Sequence, residues 1–235
     1  MSEEGSVLVA GVGPGLGIAL AKRFAHDGYR VAMLARSRER LAALAAQAPD
    51  RLVPMPCDVT DPAQVSAAFE ETEGRLGSLA CAIFNAGAYR QGSILDIAPN
   101  DFEHCWRVGA FAGFLIGQAA AQRMAARGSG TILFTGATAS LRGGANFANL
   151  ASPKFALRAL AQSMARELGP RGIHVAHVII DGQIGGTTRG DDDDARAPDS
   201  KLAPDAIAEA YFNLHRQHRS AWSQEIDLRP SVERF

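Results

Sequence analysis

Ser6-Val7-Leu8-Val9-Ala10-Gly11-Val12-Gly13-Pro14-Gly15-Leu16-Gly17 is the stretch on which the reading of the fold turns. Ser6 to Ala10 reads as a short buried strand, and Leu16 to Asp27 has helical period and closes at Gly28. Between them Gly11, Gly13, Pro14, Gly15 and Gly17 let the backbone turn tightly. The same glycines let a pyrophosphate approach amides at the positive end of the helix that Leu16 opens. A glycine run alone is a weak signal. In a strand, turn, helix setting it points to a dinucleotide cradle rather than to a merely tight connection.

Outward from this unit the alternation continues. Strands are expected at Arg30 to Ala35, Leu52 to Met55, Leu79 to Phe84, Thr131 to Thr135 and His174 to Ile180. Helices are expected at Arg38 to Gln47, Pro62 to Glu73 (entered through Thr60-Asp61), Phe102 to Arg127 (with a possible break), Pro153 to Leu168 and Pro204 to His215. The pattern predicts one α/β domain over residues 1–235, with a doubly wound parallel sheet covered by helices on both faces. Residues 182–203, which carry Asp191 to Asp194 among glycines and threonines, read as a mobile surface loop or a lid. Consecutive aspartates rarely converge on one ion, so no metal site is expected there.

Charge and composition narrow the function classes. The chain has 235 residues, 24 Lys and Arg against 25 Asp and Glu, and a net charge of -1, so no global field recruits nucleic acid or an anionic membrane. Val108 to Gly117, the longest uncharged apolar stretch, falls short of the roughly 20 residues that span a bilayer. Glu3 and Glu4 stand where a targeting signal would be basic, which suggests a cytoplasmic protein. Cys57, Cys81 and Cys105 are odd in number and form no C-x-x-C, so they read as reduced, mostly buried thiols.

Where an acidic residue would bind the ribose hydroxyls of NAD, the second strand ends in Ala35-Arg36-Ser37-Arg38. Arg36 and Ser37 could instead hold a 2′-phosphate, which favours NADP(H) over NAD(H), although an exposed Arg opening a helix gives the same sequence. Asp58, followed by Val59, could accept from an adenine amino group or begin the next helix.

Taken together, these residues resemble the short-chain dehydrogenase/reductase family over nearly the whole chain. Gly11, Gly15 and Gly17 match its G-x-x-x-G-x-G turn, Asp58-Val59 its adenine-pocket pair, and Asn85-Ala86-Gly87 the N-A-G after its fourth strand. The resemblance implies a Rossmann-type fold, a nicotinamide cofactor, and catalysis by a Tyr, a Lys four residues later, a Ser and a relay Asn. Lys154 keeps the lysine position. The tyrosine position falls at Leu150, the serine at Ala137 and the asparagine at Gly109. Thr138, Ser140 and Tyr89 are candidate substitutes, with His104 and Arg142 unplaced. Ser152 before Pro153 suggests a helix start that leaves Leu150 outside the helix. Ile184 is positioned to offer its backbone to the nicotinamide carboxamide, while Gly186 replaces the family's threonine.

The expected function is therefore an NADP(H)-binding oxidoreductase acting on a small carbonyl, alcohol or imine, with non-standard or weakened catalysis. The alternatives are a non-redox dinucleotide sensor or inactive partner subunit, and a cofactor-templated isomerase or cyclase. The resemblance also implies a homodimer or homotetramer paired through the two long helices.

Overall fold

A computed structural model describes residues 5–186 and 200–232. Seven parallel strands form one sheet in the order β3-β2-β1-β4-β5-β6-β7. They are β1 (Ser6–Ala10), β2 (Arg30–Ala35), β3 (Leu52–Pro56), β4 (Leu79–Phe84), β5 (Gly130–Thr135), β6 (Ile173–Ile180) and β7 (Glu225–Leu228). The first six agree with the sequence expectations to within one residue at each end. The seventh was not expected. It is a four-residue edge strand whose Glu225 and Asp227 interrupt the apolar pattern.

The helices are α1 (Leu16–His26), α2 (Arg38–Ala45), α3 (Pro62–Leu76), α4 (Pro99–Trp106), α5 (Ala112–Arg127), α6 (Ala148–Leu168) and α7 (Pro204–Arg216). Strand residues alternate between two apolar layers, as a period of two requires. Val7 and Val9 pack toward α1, α2 and α7, whereas Leu8 and Ala10 pack toward α3, α5 and α6. Asp61 caps α3 by accepting from the amides of Ala63 and Gln64 at 2.8 and 3.2 Å.

Two helix expectations need correction. The region expected as Phe102 to Arg127 begins earlier, at Pro99, while the break foreseen within it is a π-helical turn at Arg107–Phe111. The helix expected from Pro153 begins at Ala148, so Ser152 is not its cap and Leu150 lies inside it. Pro153 is tolerated one turn in, where its ring packs against Gly109 of the π turn. A Cβ at Gly109 would lie 2.8 Å from the Pro153 Cβ. Gly113 and Gly117 continue this close approach: added Cβ atoms would meet Leu157 at 2.4 Å and Met164 at 3.1 Å.

The strand order reverses direction of growth between β1 and β4, and the crevice beyond their carboxyl ends is where doubly wound sheets bind ligands. The two ends of the expected lid meet there, since Ile184 and Leu202 pair as an isolated parallel bridge. Residues 187–199, including Asp191 to Asp194, lie outside the described residues. Among the described residues, no helix is long and apolar enough to cross a membrane, and no group of three or more His, Cys, Asp or Glu is gathered to hold a metal.

Candidate functional site

The crevice begins at the glycine turn. Gly11 has φ +94°, and a Cβ there would lie 2.4 Å from the Ala86 amide nitrogen, so the turn and the Asn85-Ala86-Gly87 segment touch backbone to backbone. Asn85 locks this contact by donating from Nδ2 to the Gly11 carbonyl at 3.0 Å. Gly17 lets the first turn of α1 sit against Gly11 and Val12, each 2.7 Å from an added Cβ. Gly13 faces open space. No side chain caps α1 at Gly15, which leaves first-turn amides, with the positive helix end, for an anion. Pro14 and Leu16 line the same crevice.

Two lobes open from this turn. One, about 540 Å³, is lined by Arg36, Ser37, Arg40, Asp58, Val59, Ala86 and His104. Arg36 and Arg40 are exposed and lie on the same rim. Ser37 has a second task, as its Oγ accepts from the Arg40 amide at 3.2 Å and caps α2. Arg40 was not singled out from sequence, although its place three residues after a helix-capping serine brings it into the same turn. Asp58 does not open α3. Its Oδ1 accepts from the Thr60 amide and hydroxyl at 2.9 and 2.8 Å, and these bonds hold the carboxyl below its ordinary pKa.

The other lobe, about 520 Å³, is lined by Asn85, Gly87, Thr135, Gly136, Ala137, Lys154, Ile180, Gly182 and Ile184. Lys154 is 7% exposed, and its Nζ donates to the Thr135 carbonyl at 2.6 Å. Burial lowers its pKa from 10.5 to about 8. Because α6 is continuous from Ala148, Leu150 lies one turn before Lys154 on the same face. The i, i+4 arrangement is thus intact, with an alkyl side chain at its first position.

The hydroxyls near Ala137 are engaged elsewhere. Thr138 Oγ1 donates to Asp181, and Ser140 is fully buried, its Oγ accepting from the Ala137 amide at 3.1 Å. Tyr89 stacks on Phe147 with ring centroids 5.4 Å apart, and its hydroxyl is shielded without a hydrogen-bond partner. Arg142 is exposed and lines neither lobe. Tyr29 and Tyr211 are core residues, bonded to His215 at 3.0 Å and to the Thr135 hydroxyl at 2.8 Å.

The chain is similar in sequence and fold to known dehydrogenases and reductases. A short-chain dehydrogenase solved from Rhodopseudomonas palustris is 40% identical, with a TM-score of 0.83 over 96% of this chain and 98% of that one. An alcohol dehydrogenase from Thermococcus sibiricus, solved with 5-hydroxy-NADP, is 24% identical, with a TM-score of 0.86 over 98% of each chain, and shares the fold. The 3-oxoacyl-[acyl-carrier-protein] reductase MabA of Mycobacterium avium is 31% identical over 202 residues, which are 86% of this chain and 73% of that protein. Residues 6–190 match the family model described as short chain dehydrogenase, and the chain belongs to that family.

Proposed function

We propose that this chain is an NADP(H)-binding oxidoreductase for a small carbonyl or imine, in which Lys154 rather than a phenol handles the proton. The observation that carries the reading is a buried amine with a pKa of about 8 in the lobe that Ala137 and Ile184 line. A group of that pKa is well matched to proton donation near neutral pH. The bound dinucleotide would supply the hydride. Gly11, Gly13, Pro14, Gly15, Leu16 and Gly17 would hold its pyrophosphate, Asp58 and Val59 its adenine, and Asn85, Ala86 and Gly87 the floor between the lobes.

Arg36 and Ser37, with Arg40, support NADP(H) over NAD(H), because two guanidinium groups on one rim favour an added phosphate. Lys154 would hold the ribose and donate its proton to the substrate heteroatom, while Ile184 would meet the carboxamide. The MabA likeness supports a carbonyl substrate. Exposed Phe102, Trp106, Phe114 and Phe155 on α4, α5 and α6 support pairing of two or four copies through those helices. The unpaired cysteines support a cytoplasmic setting.

A second reading has its own observation. Leu150, Ala137 and Gly109 together remove three of the four polar groups that the family uses, which favours a dinucleotide sensor or an inactive partner subunit. Titration with NADPH and NADH, followed by a panel of carbonyl substrates, separates the two. Turnover that survives Tyr89→Phe and is lost in Lys154→Ala, with cofactor affinity measured separately, supports the lysine mechanism. Tight binding without turnover on any substrate selects the second reading, and absence of binding to either dinucleotide refutes both.

A further inference from the structure

Behind the Ala137 wall lies a chain of polar groups, buried at Ser140 and His177 and half-buried at Arg158 and Glu225, that the mechanism above does not use. Arg158 on α6 grips Glu225 of β7 with two hydrogen bonds of 2.7 Å. Glu225 Oε2 lies 2.9 Å from His177 Nδ1 on β6, and His177 Nε2 lies 3.4 Å from Ser140 Oγ. Ser140 Oγ in turn accepts from the Ala137 amide at 3.1 Å. Ser140 and His177 are both 0% exposed, so neither is open to a substrate.

Hydrogen-bond capacity orders this chain in one direction. Arg158 keeps Glu225 ionised by lowering its pKa, so the carboxylate accepts and His177 Nδ1 carries the hydrogen. Burial keeps His177 neutral, so Nε2 is bare and accepts from the Ser140 hydroxyl. The Ser140 oxygen is then free to receive the Ala137 N–H. Gly136 makes the arrangement possible, since a Cβ there would lie 2.4 Å from His177 Nε2 and 3.0 Å from Ser140 Oγ.

We infer that Glu225, His177 and Ser140 act in series as positioning residues that fix the extended Gly136–Ala137 segment, and with it the wall of the nicotinamide lobe. Thr135, whose carbonyl receives the Lys154 ammonium, is the residue immediately before that segment. The relay therefore ties the edge strand β7 to the placement of the lysine. This inference rests on the proposed cofactor reading for its ligand test, and stands apart from it for its structural tests.

In the unliganded wild-type chain, histidine ¹⁵N shifts should report a neutral His177 protonated at Nδ1, and the Ala137 amide should be protected from hydrogen exchange. Ser140→Ala should speed exchange at Ala137 by roughly tenfold or more and weaken NADPH binding roughly three- to tenfold, as expected for one lost hydrogen bond. Binding of 2′,5′-ADP, which occupies only the adenine side, should stay within about twofold.

Protonation at Nε2, or rapid exchange of Ala137 in the wild type, overturns the relay without need of any variant. Equal loss of NADPH and 2′,5′-ADP affinity overturns it too, because it reports general loosening, as does no loss of either. Failure of the wild type to bind NADPH refutes the cofactor reading, and the tautomer and exchange measurements still decide the relay.

Discussion

Replacing Lys154 by Met isolates the energetic consequence of the buried amine. Burial lowers its pKa from 10.5 to about 8. Below pH 8 the folded chain holds an ammonium less well than the unfolded chain does, so the group destabilises the fold there. At about 1.4 kcal/mol per pH unit, the penalty is about 3 kcal/mol at pH 7. Between pH 8 and 10.5 the unfolded chain keeps a proton that the folded chain has released. The penalty therefore shrinks as pH rises, to about 1.4 kcal/mol at pH 9.5.

Methionine removes the charge at similar length but forfeits the bond from Nζ to the Thr135 carbonyl, a loss of about 1 kcal/mol. Lys154→Met is therefore expected to exceed the parent in stability by about 2 kcal/mol at pH 7 and to be nearly level with it at pH 9.5. Urea unfolding followed by far-UV circular dichroism at both pH values measures this. Only the difference between the two proteins is diagnostic. Cys57, Cys81 and Cys105 have thiol pKa values raised by burial, so both proteins lose stability alike once unfolded thiols ionise above about pH 8.5. A gap of the same size at both pH values would refute the assignment of a depressed amine.

Three further outcomes are expected. Gly11→Ala combines a strained φ of +94° with a 2.4 Å clash against Ala86, and should cost about 2–4 kcal/mol in urea unfolding; a loss below about 0.5 kcal/mol would contradict the close approach. Arg36→Ala should weaken NADPH about tenfold, or 1.4 kcal/mol, and leave NADH unchanged by fluorescence titration; parallel losses would remove the 2′-phosphate assignment. Leu150→Tyr combined with Ala137→Ser places a phenol one turn before Lys154 on an unbroken helix and a hydroxyl in the same lobe. It should raise carbonyl reduction about 10²-fold, and an unchanged rate in a variant that still binds NADPH would show that the site's geometry, rather than its missing groups, limits it.

What could be read from sequence was local in origin. The glycine turn, its strand and its helix occupy a dozen consecutive residues, and the strict alternation of Val7, Leu8, Val9 and Ala10 between two apolar layers leaves little freedom of register. Asn85 was found through the family resemblance rather than through a local pattern, and the structure brings it onto Gly11, in the crevice that Asp58 also lines. Three features were hidden because distant contacts decide them. Pro153 resembles a helix start, yet α6 begins a turn earlier because Gly109 makes room for the proline ring. Glu225 to Leu228 carries charges at alternate positions, and it becomes a strand only because β6 offers an edge. Ser140, His177 and Glu225 belong to three elements far apart in the chain, so no local pattern could have joined them.

The contact between Gly109 and Pro153 also constrains the order in which substitutions can accumulate. An asparagine entering at position 109 meets a ring less than a van der Waals separation away, and an ordinary residue replacing Pro153 by itself recovers no chemistry. The two sites are epistatic: a library that varies them singly will find no improvement through position 109, whereas one that varies them as a pair can. Laboratory evolution toward a full set of polar groups should therefore gain at positions 150 and 137 first and stall until helix α6 and the π turn change together.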